Sequence, residues 1–183
     1  RFGIDQESSL AVEAEVTQAF DGKHPGERDV DAVRQIKSLI RWSEAKAGAL
    51  VAGCLEENCH FLDLPFYRTG TVDKKPWGND DVKIIRDLIH KINPDQIYVA
   101  GDLSDPHGTH RLCAEAIFEA VRQIDEECGG RPEVLLYRGA WQEYDLHEIQ
   151  IAVPLSPTDM EIKKKAIFKH ESQKDEALFP GSD

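Results

Sequence analysis

Several familiar features are missing from this chain, and each absence narrows its reading. No apolar run approaches the ~20 residues that a membrane-spanning helix needs. Gly-x-Gly-x-x-Gly is absent too, which weakens a dinucleotide-binding reading. None of the four cysteines, Cys54, Cys59, Cys113 and Cys128, pairs as Cys-x-x-Cys, so a thiolate zinc site is not expected. They read instead as reduced, buried thiols of a cytoplasmic protein. Positive charge is scarce: 22 Lys and Arg stand against 34 Asp and Glu, a net charge of -12. A nucleic-acid surface needs clustered Lys and Arg to displace counterions from phosphates, so that function class is set aside. The one basic run, Lys163-Lys164-Lys165, falls in a helical pattern and reads as a solvated face. There is no internal repeat and no low-complexity tract.

What is present fits a globular fold. The 183 residues are 40% hydrophobic and 31% charged, enough for a single domain, 1–183, with its own core. The first residue is Arg1 and the last five, Phe179-Pro180-Gly181-Ser182-Asp183, are turn-like. The expectation is an N-terminally truncated fragment of a longer protein.

Periodicity predicts helices over 8–20, 27–55, a third capped by Asn79 or Asp80 and running to 91, a fourth from His107 or Thr109 to 127, and a fifth over 159–170. Asn93-Pro94-Asp95 stops the third and Gly129-Gly130 the fourth. Short apolar runs predict strands over 59–64, 96–100 and 134–137. Ile149, Ile151 and Val153 alternate, which predicts a further, wetter strand near a sheet edge. Strands separated by helices and short connections predict an α/β fold with a mostly parallel sheet and one antiparallel edge.

The chemistry concentrates after the 96–100 run, in Gly101-Asp102-Leu103-Ser104-Asp105-Pro106-His107-Gly108-Thr109-His110-Arg111. In an open α/β sheet this is the rim where ligands collect. Two histidines three apart in a first helical turn share one side. Imidazole is the commonest metal ligand, and Asp102 and Asp105 are placed to orient such rings. A zinc hydrolase needs three protein ligands and an open position, so two histidines alone also fit a plain capped helix with half-exposed rings. Tyr67, Arg68 and Trp77 follow the first apolar run, and Arg138, Trp141 and Tyr144 follow the last. Arg matches a phosphate in geometry, and an aromatic ring can cover a sugar.

The pattern 105–111 resembles the second metal motif of the LmbE/PIG-L family of zinc-dependent N-deacetylases of N-acetylglucosamine-type sugars. Other segments agree in order. Asn93-Pro94-Asp95-Gln96-Ile97-Tyr98-Val99 resembles the family strand before that motif. Arg41-Trp42-Ser43-Glu44-Ala45 and His60-Phe61-Leu62-Asp63-Leu64-Pro65 resemble its Arg-x-x-Glu-Ala helix and "FLxLPD" segment. Lys165-Ala166-Ile167-Phe168-Lys169-His170-Glu171-Ser172-Gln173 resembles its "KxxAxxxHxSQ" helix. The variant is most similar to the C-terminal domain of bacterial fusion proteins whose other half resembles glucosamine-6-phosphate deaminase (isomerase).

The resemblance implies a Rossmann-like three-layer sandwich and metal-assisted hydrolysis of an N-acetyl amino sugar. It implies His110 as a zinc ligand and His107 as the group that stabilises the tetrahedral intermediate. Beside these carried-over roles, the residue chemistry itself makes Asp102 and Asp105 candidates to support the rings and Tyr67, Arg68, Trp77 and Arg138 candidates to face the sugar. Two departures stand out. Gly108 and Thr109 replace the family's Pro and Asp, and the family's His-Pro-Asp-Asp motif, which supplies two ligands and the base, is missing. His24-Pro25-Gly26-Glu27 does not replace it, because no apolar strand precedes it and Gly26 has no side chain. This fragment is therefore expected to be inactive and poorly loaded with zinc, with a possible tendency to self-associate. The alternative is a non-catalytic sugar-phosphate-binding or scaffold domain attached to a glucosamine-6-phosphate deaminase.

Overall fold

The computed structural model describes residues 6–24, 27, 29–67, 75–101, 103–104, 108–138 and 143–174. In chain order the elements are α1 (Gln6–Asp21), α2 (Asp31–Val51), α3 (Asn79–Ile92), β1 (Gln96–Ala100), α4 (Thr109–Cys128), β2 (Glu133–Tyr137) and α5 (Pro157–Ile167). Short 3-10 turns lie at Glu56–Asn58 and Glu171–Gln173. The chain divides into two compact units, Arg1–Phe61 with Pro154–Asp183, and Leu62–Val153.

The 62–153 unit is the α/β part. α3 presents Val82 and Ile85 to Ala116 and Ala120 of α4, and these four form its buried core. Alanine side chains let the two helices approach closely. Leu62, Leu64, Trp77, Ile89 and Ile117 close the margins of that contact. At the far end, Arg86 donates to Gln123 Oε1 at 3.1 Å and to Glu127 Oε1 at 2.8 Å. Asn93, in the left-handed region at φ 50, ends α3, and Gly129 at φ 66 ends α4. Both termini sit where the sequence predicts.

β1 and β2 pair in parallel, Gln96 opposite Glu133 through Ala100 opposite Tyr137. Parallel strands need a long crossover, and α4 supplies it. Val99 is buried, whereas Tyr98 on the opposite face is 60% exposed.

The expected sheet is larger than the one observed. Among the described residues only two strands pair. The 59–64 run is irregular: Asp63 takes φ 48, which breaks an extended path, and Pro65 has no amide to offer a ladder. Leu62 and Leu64 pack on the α3–α4 core instead. The alternating run at 149–153 forms no strand either. With no sheet face to cover, Ile149, Ile151 and Val153 stay exposed, Val153 at 70%. The described residues thus form a mixed helix–strand fold with a small parallel pair, compatible with the expected α/β class.

One buried carboxylate organises this unit. Asp81, 3% exposed, accepts from Gly78 N at 2.8 Å and from Phe66 N at 3.0 Å. The first bond caps α3, and the second ties the preceding loop to it.

The composite unit is helical. α2 packs against α1 and α5. It begins at Asp31, later than the spacing predicts, because Val30 before it is extended at ψ 160; Asp29 forms ion pairs with Lys23 and Lys37. Hydrogen bonds from Lys23 and then Lys37 hold the Asp29 carboxyl below the usual aspartate range. α5 begins with a capping box: Ser156 Oγ accepts from Asp159 N at 3.1 Å, and Asp159 Oδ2 accepts from Ser156 N at 2.8 Å. Pro157 fits the first helical position, where no amide bond is lost.

Beyond α5 the chain is locked to α2 across 128 residues of sequence. Glu44 Oε1 accepts from Ser172 N and Glu44 Oε2 from Ser172 Oγ, each at 2.6 Å. Those two bonds, side chain first, hold the Glu44 carboxyl below its ordinary range. Gly48 lies one turn along α2. A Cβ there would come within 3.2 Å of Ala166 O and of His170 Nε2. His170 Nδ1 in turn lies 3.2 Å from Gln173 Nε2.

Two outcomes follow. Asp81→Ala leaves two amides without their acceptor and costs about 1–3 kcal/mol of stability. Hydrogen exchange should speed up at the Gly78 and Phe66 amides, and Asp81→Asn, which keeps one acceptor oxygen, should lose less. For Glu44 the lowered folded-state value means that its stabilisation is present above the ordinary glutamate range and fades as pH falls through and below that range. Glu44→Gln should therefore melt earlier than the unsubstituted chain at neutral pH, with the gap narrowing in acid. Thermal melts of both proteins between neutral and strongly acidic pH check this.

Candidate functional site

The site is built from the carboxyl ends of the two strands. Gly101 extends the ladder by one bond, donating from N to Tyr137 O at 2.7 Å. A Cβ at Gly101 would fall 2.6 Å from Tyr144 Oη and 2.9 Å from Leu136 Cβ. Only glycine therefore fits at the exit of β1. Gly108 precedes α4 at φ 65, again a glycine conformation. Its carbonyl accepts the first helical bond, from Leu112 N at 3.1 Å.

His110 is the second residue of α4 and half-buried. Its Nδ1 is buried and makes no hydrogen bond among the described residues. Buried polar atoms are nearly always partnered, so this nitrogen is the notable feature of the rim. Arg111, next along the helix, faces Glu115 at 3.6 Å.

The neighbouring strand end carries Arg138. Its guanidinium lies 4.3 Å from the centre of the Tyr144 ring, and Nη1 donates to Glu143 O at 3.5 Å. Tyr144 Oη donates back to Leu136 O at 3.4 Å. The Tyr144 ring is therefore held over the end of β2, and the planar guanidinium lies on it. Arg138 follows the carboxyl end of β2, and His110 opens the helix that follows β1. The α4 N-terminus adds partial positive charge, and its first turn holds no acidic residue. An anionic group suits this edge.

The other candidates divide differently. Trp77 is enlisted in packing: its ring lies on the α3–α4 core and its Nε1 donates to Glu115 Oε2 at 3.1 Å. Tyr67 makes an edge contact with Phe66, ring centres 6.4 Å apart. Arg68, Asp102, Asp105, His107 and Trp141 lie outside the described residues.

Zinc can be weighed against the donors present. The orphaned His110 nitrogen is a suitable donor. No group of three His, Cys, Asp or Glu is assembled among the described residues. One ligand is not a zinc site, so the described residues do not fit the complete group.

Two segments of the family resemblance do meet. Arg41–Ala45 lies on α2, and the segment 165–173 packs on it through the Glu44–Ser172 bonds and the Gly48–His170 contact. His170 is a packing residue there. Sequence reasoning paired these segments by likeness and did not see the bonds. It named Gly101 as the start of the motif stretch but gave it no role, although its position directly after a strand is the available signal. No helix among the described residues is long and apolar enough to cross a membrane.

Comparison with known proteins adds one relative. No family model matches the chain, and no solved structure matches it. A glucosamine-6-phosphate deaminase-like protein of Bacteroides thetaiotaomicron is 42% identical over 174 residues, which cover 93% of this chain and 26% of that protein. The chain thus spans about a quarter of the length of the curated relative it matches.

Proposed function

We propose that this chain is an N-deacetylase-like hydrolase domain belonging to a longer, glucosamine-6-phosphate deaminase-like protein of the bacterial cytoplasm. Its substrate would be an N-acetylglucosamine-type sugar, bound where β1 and β2 end. The observation that carries this reading is the buried His110 Nδ1 at the start of α4, without a hydrogen-bond partner among the described residues. The motif order around it and the name of the B. thetaiotaomicron relative support it. In this reading zinc supplies the power to polarise an amide carbonyl and acidify water. His110 offers one nitrogen to it and His107 stabilises the oxyanion, with Asp102 and Asp105 orienting the rings. No hydrolytic step is assigned to a metal, because the described residues offer a single donor.

A specific observation favours a second reading. Arg138, at the end of β2, lies with its guanidinium 4.3 Å from the centre of the Tyr144 ring, a cation placed as a sugar-phosphate-binding scaffold would need one. Arg138 on its Tyr144 ring and the α4 N-terminus would then hold the phosphate.

The two readings separate in the longer protein that contains this chain. The deacetylase reading expects bound zinc and release of acetate from N-acetylglucosamine 6-phosphate. His110→Ala should then cut zinc affinity by at least the roughly 10- to 100-fold that losing even an outer partner costs. Sugar-phosphate binding without acetate release, weakened by Arg138→Met, establishes the scaffold. The isolated 183-residue chain should show substoichiometric zinc by elemental analysis and no turnover. Full zinc with turnover in that chain refutes the inactive-fragment expectation.

A further inference from the structure

The end of α2 brings two thiols together. α2 closes on a Schellman motif, in which Gly53 N donates to Leu50 O at 3.1 Å and Cys54 N to Ala49 O at 3.0 Å. Gly53, at φ 92, makes the reversal possible. The 3-10 turn Glu56–Asn58 follows, closed by Cys59 N donating to Glu56 O at 3.1 Å. As a result Cys59 Sγ lies 3.7 Å from Cys54 Sγ, and both sulfurs lie 3.5 Å from Leu55 O. Both residues are half-buried rather than sealed in a core, which corrects the expectation of buried thiols.

Contacts that involve no sulfur hold this arrangement. Lys46 of α2 pairs with Glu56 on the turn. The same ammonium sits 5.1 Å from the Trp42 ring centre, and Phe61 meets that ring at 5.3 Å. The 54–61 strap is therefore fixed to α2 before any bond forms between the cysteines.

We propose that Cys54 and Cys59 are a modification site, a dithiol that closes reversibly to an intramolecular disulfide by exchange with a low-molecular-weight disulfide. Closure brings the sulfurs from 3.7 Å to about 2.0 Å, the length of a disulfide. Burial first, and then the S–H bond toward Cys54, raise the Cys59 thiol above its ordinary range. The Cys59 S–H is directed at Cys54 Sγ, and the first attack is assigned to Cys54. Its thiolate, the proton lost to water, attacks R–S–S–R. The Cys54–S–S–R mixed disulfide forms and one thiolate RS⁻ leaves. Cys59 then gives its proton to water, and its thiolate attacks the Cys54 sulfur and expels the second RS⁻. Two thiols are oxidised, one external disulfide is reduced to two thiols, and the balance is complete. In a reducing compartment the bond would be transient.

Exposure of the reduced 183-residue chain to oxidised glutathione, followed by acid quench and non-reducing peptide mapping, tests this. The expected product links the Cys54 and Cys59 peptides with loss of two hydrogens, and returns on dithiothreitol. Cys59→Ser should trap the glutathione adduct on Cys54, and closure in the unsubstituted chain should quicken as pH rises toward the Cys59 value. A stable Cys54 adduct in the unsubstituted chain overturns the proposal. So do crosslinks from either residue to Cys113 or Cys128, or free Cys54 and Cys59 where exposed Cys128 is already modified. Mapping the unsubstituted chain decides the matter even if Cys59→Ser folds poorly.

Discussion

Two parallel strands cannot be joined by a hairpin, and the chemistry of the 62–153 unit depends on that constraint. The connection from β1 to β2 must run the length of the strands and return, so a helix fills it. The start of α4 and the exit of β2 then fall on the same edge. His110 and Arg138 are far apart in sequence and reach neighbouring strand ends for this reason alone. Gly101 completes the geometry, because its amide prolongs the ladder and its bare backbone leaves space for Leu136 and Tyr144.

The helices were legible because their signals are local. Apolar spacing placed α3 and α4, and Asn93 and Gly129 marked their ends with backbone conformations that few other residues adopt. The strands were legible only where a partner exists. The runs at 59–64 and 149–153 carry a strand's composition, but a strand is stabilised by its neighbour, and sequence does not reveal whether one is there. Asp63 turned the first run aside and exposure marks the second. His110 was found from spacing and chain position. That its Nδ1 is buried, with no partner among the described residues, is a property of packing, invisible in one dimension. Glu44 and Ser172 stood in recognisable segments, yet a bond across 128 positions has no local trace.

Charge is handled differently at the surface and at the rim. The acidic excess is spread over helix faces as short-range pairs. Arg122 lies between Glu119 and Glu126, and its hydrogen bond first, then that of Gln123, pulls the Glu119 carboxyl down to about 2. Such exposed pairs add little stability individually, but they neutralise repulsion in a chain of net charge -12. The edge beyond β1 and β2 stands apart: a guanidinium on an aromatic ring and a helix start without acidic side chains.

Gly48 leaves α2 and α5 in contact through backbone and imidazole, with no methyl group between them. Side chains at a helix crossing usually act as adjustable spacers, so that the separation drifts as sequences change. Here no spacer exists. The distance is set by the width of the main chain itself, and every other residue along the crossing must accommodate it.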